Sequence, residues 1–475
     1  MILLKDKISV EPGFQFVIDQ MELMSAAGRR RMLMQPLLTD AVELEREYDN
    51  TGRVIGCLER AECKREVAVV RHQLMQMHDL QGSLANLSQR MVMEEIELFE
   101  IKNFAFLCMQ TSAAAATLGI DDITALPDLD SVFSLLDPDG TRIPNFYIYD
   151  SYHPDLGPLR RELKARQTLL DNCKGSDDER AALQREVNDL FERQNAIQQQ
   201  VVARLSDQLA AFSQPLTTAY ERMAYTDFLF ARATLAVEWK LCRPRITDKA
   251  LDFKTLWNPR LRRRNEKLKL RYQPLDISLE SGVCLITGAN MAGKTVTLKT
   301  VGIAQMMAQF AFFVPATEAQ TTLFDDIVFC IGDEQNEMNG LSSFASEITK
   351  ISDTITRAET EHLLILIDEP ARTTNPVEGK AIVQSVATLL DERPSTTLIT
   401  THYSQLGLAC RRLRVKGFVE GLAAIPLTPE NINSFMDYSL LPDDSDEVPQ
   451  EALRIAAILR CNAKLLETAN DFLNR

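Results

Sequence analysis

The sequence lacks the cysteine and histidine patterns that build metal centres and disulfide frameworks. Its nine cysteines form no C-x-x-C pair, and none stands at metal-ligand spacing from the five histidines. Several cysteines lie inside apolar runs, where cysteine behaves as a small hydrophobic residue. We therefore expect an intracellular, reducing setting and no cysteine-based metal site.

Long apolar runs and excess positive charge are missing as well. No stretch of 18 apolar residues occurs, and the N-terminus becomes charged at Lys5, too early for the apolar centre of a signal peptide. The 52 basic side chains are outnumbered by 67 acidic ones, which leaves a net charge of -15. These shortages predict a soluble cytoplasmic chain without a membrane partner, and they limit any contact with nucleic acid to a local patch.

In the first half of the sequence, apolar residues are spaced as they are in α-helices. Apolar side chains recur at helical intervals along residues 84–99, and residues 1–125 are predicted to form an all-α core domain. A second helical region follows at 153–209, where the apolar spacing predicts two long helices that break near Lys174–Asp178. A helix pair of this kind forms a hairpin or lever.

Between these two regions the composition changes. Residues 126–150 combine turn-forming Pro, Asp and Gly with the β-prone segment Phe146–Tyr149, and we place a domain joint there. A further helix is predicted over Tyr220–Leu241. Residues 126–240 are therefore assigned to a joint with lever helices, and residues 241–475 to a C-terminal domain of alternating strands and helices.

A glycine-rich loop organises the C-terminal domain. Val283–Ile286 is predicted to be a short buried strand, after which Gly288, Gly293, Lys294 and Thr295 form the G-x-x-x-x-G-K-[ST] pattern at the start of a helix. Such glycines let backbone N–H groups converge on phosphate oxygens, and the helix N-terminus adds its positive dipole end. Lys294 would reach the β- and γ-phosphates, and Thr295 would hold Mg²⁺. The residues predicted to bind ATP are Gly288, Asn290, Gly293, Lys294, Thr295 and Val296.

A second element of this site is an apolar run that ends in two acids. The segment His362–Glu369 has the form of a central parallel strand that delivers carboxylates to its C-terminal edge. Asp368 is predicted to bind Mg²⁺ together with Thr295. Glu369 is predicted to be catalytic, because a carboxylate at this position can polarise the attacking water.

The next strand and a small-residue turn add two further candidates. Thr396–His402 ends in His402, which is predicted to sense the γ-phosphate because an imidazole N–H can donate to a phosphate oxygen. A lone histidine is more often structural, and that alternative stays open. The turn at Met338–Phe344, followed by Glu347, is hydroxyl-rich and opens a helix, which is an anion-binding geometry.

A basic run precedes the glycine-rich loop in this otherwise acidic chain. We interpret it as a solvated or nucleotide-adjacent face, with a nucleic-acid patch as the alternative. Its members are Arg243, Arg245, Arg260, Arg262, Arg263, Arg264, Lys267, Lys269 and Arg271.

Taken together, these motifs resemble the MutS family within the ABC-type ATPases. Thr287–Thr295 resembles the family's TGPNMGGKS loop, Phe313–Ala316 its VPA element, Gly340–Glu347 its GRSTFMVE signature, Asp368–Asn375 its DEIGRGTS segment, and Thr401–His402 its ATHY element. The order and gaps agree over residues 240–475. The similarity is weaker over Gly28–Asp40, which resembles the start of the family's helical core, and over Asp139–Glu162, which is similar to the clamp-less branch.

The resemblance implies a multidomain chain, with an all-α core and lever domain followed by an α/β P-loop ATPase domain of ABC type. It also implies a homodimer that uses ATP and Mg²⁺ and is held in part by its C-terminal helices. The ATP site would be completed in trans, with Ser342 of one subunit approaching the γ-phosphate bound by Lys294 of the other. Ser342 is therefore predicted as a third catalytic residue.

The departures from the family pattern bear on function. The mismatch-recognition and connector domains, the clamp and a Smr-type nuclease segment are expected to be missing. Within the ATPase motifs the substituted positions are Ala289, Ala292, Leu341, Pro370 and Ala371, where the family has Pro, Gly, Arg, Ile and Gly. We expect nucleotide binding to survive these changes, which bear on the rate of hydrolysis and on any relay to DNA.

Two functions from different classes fit this sequence. The first is an ATPase of DNA maintenance, related to mismatch repair, whose lever helices embrace DNA and move with the nucleotide state. The second is an ATP-dependent protein-remodelling factor, such as a reactivase of a cobalamin-dependent aminomutase. A nucleotide-binding scaffold without turnover is a third, weaker reading.

Overall fold

The structure is a computed structural model of the 475-residue chain. It describes residues 1–248, 250–288, 293–331, 343–418, 436–443 and 461–473, together with residues 453 and 456. The contacts divide the chain into two compact units. We call residues 22–32 and 52–231 the helical unit, and residues 1–21, 33–51 and 232–475 the sheet unit. The predicted boundaries after residues 125 and 240 stay a prediction.

Helices make up the chain as far as residue 239. They are α1 (Leu4–Ile8), α2 (Pro12–Asp19), α3 (Ala26–Leu33), α4 (Ala41–Glu59), α5 (Lys64–Met75), α6 (Gln81–Ser88), α7 (Glu95–Leu118), α8 (Asp121–Thr124), α9 (Asp130–Leu135), α10 (Leu156–Asp171), α11 (Asp177–Ala210) and α12 (Ser213–Trp239). Two 3₁₀ turns, Ala61–Cys63 and Asp150–Tyr152, lie between them. α4 and α12 each contribute residues to both units.

Strands and helices alternate after residue 244. The elements are β1 (Arg245–Ile246), β2 (Leu251–Leu256), α13 (Pro259–Leu268), β3 (Leu275–Leu279), β4 (Gly282–Thr287), α14 (Lys294–Gln309), β5 (Glu318–Thr321), β6 (Asp326–Cys330), α15 (Ser343–Arg357), β7 (Leu363–Asp368), α16 (Pro376–Asp391), β8 (Thr396–Thr400), β9 (Arg411–Phe418), β10 (Met436–Pro442) and α17 (Ala463–Leu473). α17 is the part of the C-terminal helices implied by the family resemblance that lies within the described residues.

The two predicted long helices are confirmed as α10 and α11. α11 begins with a capping box, in which Ser176 Oγ accepts from the Glu179 backbone N–H at 3.3 Å and Glu179 Oε2 accepts from the Ser176 N–H at 3.0 Å. Arg166 and Glu186 form an ion pair of 3.2 Å across the pair of helices. The break therefore occurs where the sequence predicted it, because the Gly175-Ser176 turn supplies the cap.

The β-prone segment Phe146–Tyr149 forms no strand. It lies instead against helix α7, whose Lys102 is fully buried. Lys102 Nζ donates to Asp137 Oδ1 at 3.0 Å, to the Asn145 carbonyl at 2.8 Å and to the Tyr149 hydroxyl at 3.1 Å. These bonds and the burial of Tyr149 hold the segment in an irregular, extended form, so its aromatic composition serves packing rather than sheet pairing.

Two sheets form the framework of the sheet unit. The smaller has the strand order β1-β5-β2-β3, and the larger has the order β10-β9-β4-β8-β7-β6. In the larger sheet, all strands from β9 to β6 are parallel and β10 is an antiparallel edge. The central strands β4 and β8 are fully buried, and β8 buries Thr396, Thr397 and Thr400 beside its two apolar residues.

The register of this sheet determines where the site lies. Ile286 of β4 and Asp368 of β7 both pair with Thr400 of β8. The carboxyl ends of three neighbouring parallel strands therefore meet at one edge, which is where ligands bind in open α/β sheets. Among the described helices, none is both long enough and apolar enough to cross a bilayer.

Candidate nucleotide site

The glycine-rich loop joins β4 to α14 at this edge. Gly288 and Gly293 both have positive φ, 142° and 81°. At Gly293 a side chain is excluded for a second reason, since a Cβ atom there would lie 2.9 Å from Cδ1 of Tyr438. Glycine is therefore required on both flanks of the loop. Asn290 and the substituted Ala289 and Ala292 lie outside the described residues.

Lys294 is the first residue of α14 and is only 4% exposed. Its Nζ donates to the Gly288 carbonyl at 2.6 Å and lies 3.1 Å from Oε1 of Glu369. The ammonium is thus folded back over the loop and paired with the second acid of the acidic strand. A buried charge is stable only with such a partner, so an incoming phosphate group would replace the carboxylate as that partner.

Asp368 forms the centre of a hydroxyl cluster. Thr295 Oγ1 donates to its two carboxylate oxygens at 3.0 and 2.9 Å, and Thr400 Oγ1 donates to Oδ1 at 2.6 Å. Thr400 also accepts from the Glu369 N–H at 3.0 Å. The sequence reasoning named the β8 strand but gave Thr400 no role. The structure shows that its hydroxyl binds both the Asp368 carboxylate and the backbone N–H of Glu369.

Glu369 is the most perturbed carboxylate at this edge. His402 and then Lys294 hold its pKa at about 2, although partial burial acts in the opposite direction. His402 Nδ1 lies 3.7 Å from Glu369 Oε2 and has no hydrogen-bond partner among the described residues. At that distance the contact is an electrostatic one. Glu369 is therefore ionised over the whole physiological range, as a residue that orients water must be.

The turn after β7 is strained and is supported by Glu347. Glu369 and Ala371 both have positive φ, 44° and 60°. Glu347 of α15 reaches across and its Oε1 accepts from the Ala371 N–H at 2.9 Å. Burial raises the pKa of Glu347. The sequence analysis noted Glu347 only as the residue that follows the turn at Met338–Phe344, and the structure gives it a contact to the backbone beside the acidic strand. Ser342 and Leu341 lie outside the described residues.

A cavity of about 290 Å³ opens beside the glycine-rich loop. Tyr438 of β10 lies on Gly293, and Val296 and Thr297 of α14 form part of the same wall. The other lining residues are Leu261, Arg264, Asn265, Leu270, Arg271, Tyr272, Gln273, Leu275 and Met436. The lining combines apolar and aromatic side chains with five polar ones, Arg264, Asn265, Arg271, Gln273 and Thr297. Polar groups of this kind can orient a ligand that apolar side chains hold.

The sequence reasoning missed most of this cavity. Only Gly293 and Val296 were predicted to contact nucleotide, because Tyr438 lies far along the chain and no local motif marks it. Gln273 fixes its position: the side-chain Nε2 donates to Asp437 Oδ1 at 2.8 Å and to Ser439 Oγ at 3.1 Å, and Oε1 accepts from the Tyr438 N–H at 3.3 Å. Tyr272, an aromatic residue three positions before the start of β3, lines the cavity and was an available signal in the sequence.

The residues at this edge fit a magnesium nucleotide. Thr295 and Asp368 supply only oxygen ligands, which Mg²⁺ prefers. Among the described residues no group of three or more His, Cys, Asp and Glu side chains could hold a metal ion. Mg²⁺ at this position would therefore need phosphate oxygens and water as its other ligands, as is usual for this ion. Lys294 is the buried cation that the phosphates would meet.

The basic run separates into structural and exposed members. Arg243 is bound to the sheet unit through Glu45 and Asp49, at 2.5 and 2.7 Å. Arg262 pairs with Glu266 at 3.1 Å and stacks over the Trp257 ring. Arg264 and Arg271 line the cavity. The nucleotide-adjacent interpretation is thus supported for two members of the run.

Comparison with known proteins places the same region in a family. Residues 284–473 match the model for MutS domain V.

Individual relatives match parts of the chain. The chain is 34% identical over 229 residues to "Endonuclease MutS2" of Agathobacter rectalis, a match that covers 47% of this chain and 28% of the relative. It is 32% identical over 260 residues to "DNA mismatch repair protein MutS" of Thermus aquaticus, covering 55% and 31%. It is also 31% identical over 294 residues to "Endonuclease MutS2" of Carboxydothermus hydrogenoformans, covering 61% and 36%. The chain thus spans about a third of the length of these relatives.

Proposed function

Because this chain is a member of the MutS family, with a MutS domain V at residues 284–473, we propose that it binds and hydrolyses ATP in DNA maintenance. The observation that carries the proposal is the convergence of Lys294, Glu369, Asp368 and Thr295 at one sheet edge. These are the residue types that grip phosphates, hold Mg²⁺ and activate water in P-loop enzymes. The cavity next to Gly293 would take the base and sugar.

The geometry suggests the order of events within the site. In the described structure Lys294 is neutralised by Glu369. When phosphates enter, the ammonium donates to them instead. The released carboxylate can then accept a hydrogen bond from a water O–H group. Thr400, which accepts from the Glu369 N–H, keeps the backbone of that residue fixed while the side chain turns. When bound, Mg²⁺ would neutralise charge on the phosphate oxygens.

His402 contributes through a ring N–H. It lies against Glu369 and stacks on Tyr403 with ring centroids 4.4 Å apart. Once Glu369 turns toward water, the ring is left at the strand tip where a γ-phosphate would lie. We propose that it then donates to that phosphate, as the sequence predicted. Ser342 from a second subunit remains part of the proposal as the residue that completes the site.

We propose further that the protein acts as a homodimer on DNA, with α10 and α11 as lever helices whose position follows the nucleotide state. The printed names of the relatives, an endonuclease and a mismatch-repair protein, favour DNA over a protein substrate. The chain passes between the two units inside α4 and α12. A rearrangement in the sheet unit therefore has continuous helices through which to reach the helical unit.

A combined binding and turnover experiment tests the proposal. ATP binding is measured by titration calorimetry, phosphate release by a coupled assay, and DNA binding by fluorescence anisotropy at low salt with duplex, branched and mismatched oligonucleotides. We expect all three signals, and we expect ATP to compete better than inorganic triphosphate because the cavity adds contacts to the nucleoside. Absence of ATP binding would end the ATPase proposal, and absence of salt-dependent DNA binding would end its DNA part.

A further inference from the structure

Helix α13 carries cations without carboxylate partners. In the described part of the chain, Arg262 and Arg263 both lie near Glu266, at 3.1 and 3.9 Å, and rest on the rings of Trp257 and Trp239. The remaining basic side chains of the helix and its C-terminal flank form no ion pair among the described residues: Arg260, Arg264, Lys267, Lys269 and Arg271. The chain as a whole has a net charge of -15, so these five cations make residues 260–271 a locally positive segment of an acidic protein.

Arg260, Arg264 and Lys267 follow the helical repeat i, i+4, i+7 and share one exposed face of the helix. Of these three, Arg264 lines the cavity beside the glycine-rich loop, together with Leu261 and Asn265. Arg260, Lys267 and the C-capping Lys269 are exposed and do not line the cavity.

The stacked arginines hold this helix in place. The Arg262 guanidinium lies 4.4 Å from the centre of the buried Trp257 ring, and Pro259, the first residue of the helix, is also buried. Asn258 caps the helix through its side chain, which accepts from the Leu261 N–H at 3.0 Å. The free cations are therefore displayed on an ordered support, which lowers the conformational entropy that binding would cost.

We propose that Arg260, Lys267 and Lys269 bind the phosphate backbone of nucleic acid, and that α13 couples this contact to the nucleotide in the cavity. A helix of ten residues is about 15 Å long. Duplex DNA presents one negative charge for about every 1.7 Å of its axis, so several phosphates lie within reach of the three cations. The inference rests on the proposed function, which it deepens by naming a DNA contact on the sheet unit and a route of regulation.

The coupling follows from the shared helix. A nucleotide in the cavity contacts Leu261, Arg264 and Asn265 of α13. The DNA backbone contacts Arg260 and Lys267, which flank Arg264 on the same face, so each ligand restricts the same element. By linkage, the factor by which ATP changes DNA affinity must equal the factor by which DNA changes ATP affinity. We expect that factor to be about fivefold or more, within the usual range of such couplings.

The test compares two variants that remove the same number of positive charges. In the first, Arg260→Gln, Lys267→Gln and Lys269→Gln are combined. In the control, Lys5→Gln, Lys64→Gln and Arg65→Gln remove three other exposed cations that form no ion pair among the described residues. Binding to a fluorescent duplex oligonucleotide is measured by anisotropy over a salt series, with and without a non-hydrolysable ATP analogue.

We expect the α13 variant to lose at least tenfold in DNA affinity at low salt and to show a log–log salt slope smaller by about 2.7, which is 0.9 for each lost phosphate contact. Its affinity for the analogue without DNA should equal that of the wild type, since none of the three side chains lines the cavity. The mutual effect of DNA and analogue should disappear in this variant and persist in the control.

Different failures have different meanings. If the wild type binds DNA and the α13 variant binds it with the same affinity and slope as the control, the inference is wrong while the proposed function stands. If DNA binding falls but the coupling factor is unchanged, the regulatory part is wrong. If the wild type binds the analogue but no DNA, both the inference and the DNA part of the proposed function fail, and the ATPase part survives.

Discussion

The ammonium of Lys294 lies 3.1 Å from Oε1 of Glu369. P-loop chemistry requires a different task of each of these two residues. In the proposed mechanism the lysine holds phosphate and the glutamate orients water. Their direct pairing means that neither can perform its task until the pair separates. Phosphate entry is the natural trigger, because it offers the lysine a doubly charged partner in place of a singly charged one.

Replacing Glu369 by alanine should abolish turnover and preserve ATP binding. The lost carboxylate is the proposed water-orienting group, and such groups contribute about 10²- to 10⁴-fold to rate. Single-turnover phosphate release and calorimetric binding measure the two effects separately. Glu369→Gln is the matched control for size, and it should be equally inactive. A Glu369→Ala variant that hydrolyses ATP at the wild-type rate would remove this residue from the mechanism.

Replacing Lys294 by alanine should weaken ATP binding itself. The buried ammonium would make charge-assisted hydrogen bonds worth about 1.5–3 kcal/mol, so the dissociation constant should rise by at least about tenfold. Lys350→Ala on the exposed surface of α15 removes the same charge away from the loop and serves as the control. Unchanged nucleotide affinity in the Lys294 variant, measured by calorimetry, contradicts the assignment of the phosphate site.

Protonation of Glu369 should lower the stability of the fold only at acid pH. The pKa of Glu369 is lowered from 4.5 to about 2. A carboxylate with a depressed folded pKa stabilises the protein above its unfolded pKa, and this contribution is lost as the pH falls toward the folded value. The difference in unfolding free energy between wild type and Glu369→Gln should therefore be constant above about pH 5.5 and change between about pH 4.5 and 2.

Urea unfolding at a series of pH values measures that difference, and contributions from all other acidic groups largely cancel between the two proteins. A difference that is independent of pH down to about pH 2 would show that Glu369 has no charged partner in the folded state.

Replacing Ala371 by glycine should not destabilise the protein, although glycine is usually unfavourable. Ala371 has φ of 60°, a left-handed conformation that costs a residue with a Cβ about 1–2 kcal/mol. Removing that strain offsets the roughly 0.5–1 kcal/mol of backbone entropy that glycine loses on folding. Ala381→Gly, within helix α16 and exposed, has no such compensation and should destabilise by about 1 kcal/mol. Thermal unfolding measures the change in stability of both variants. A similar loss of stability in each would show that Ala371 is not strained.

Replacing Glu347 by alanine should reduce kcat without changing ATP affinity. Its Oε1 holds the Ala371 N–H, and hence the turn that carries Glu369. Glu347→Gln keeps an oxygen acceptor at the same place and should restore most of the rate, whereas a residue needed for its charge would not be rescued in this way. A parallel loss in both variants would assign Glu347 a role other than positioning the turn.

Short patterns in the sequence were sufficient for much of the site. The predicted strand at Val283–Ile286, the helix opening at Lys294 and the acidic strand are all confirmed as β4, α14 and β7. These features depend on local backbone requirements, on glycine at positive φ and on continuous apolar runs, which neighbouring residues express without help from distant ones. The resemblance to the MutS family is confirmed by the match to domain V.

What the sequence by itself determined was therefore the local elements of the candidate site, the glycine-rich loop between β4 and α14 and the acidic end of β7, and their order along the chain. Only the tertiary structure decided which of them meet: that Lys294 pairs with Glu369, that Thr400 holds both acids, and that Tyr438 closes a cavity over Gly293. It also decided that Arg243 is a structural ion pair and that Phe146–Tyr149 packs on Lys102 without forming a strand. The physical reason is that a partner's identity depends on which distant segments the sheet register and the core bring together, and no local pattern encodes that.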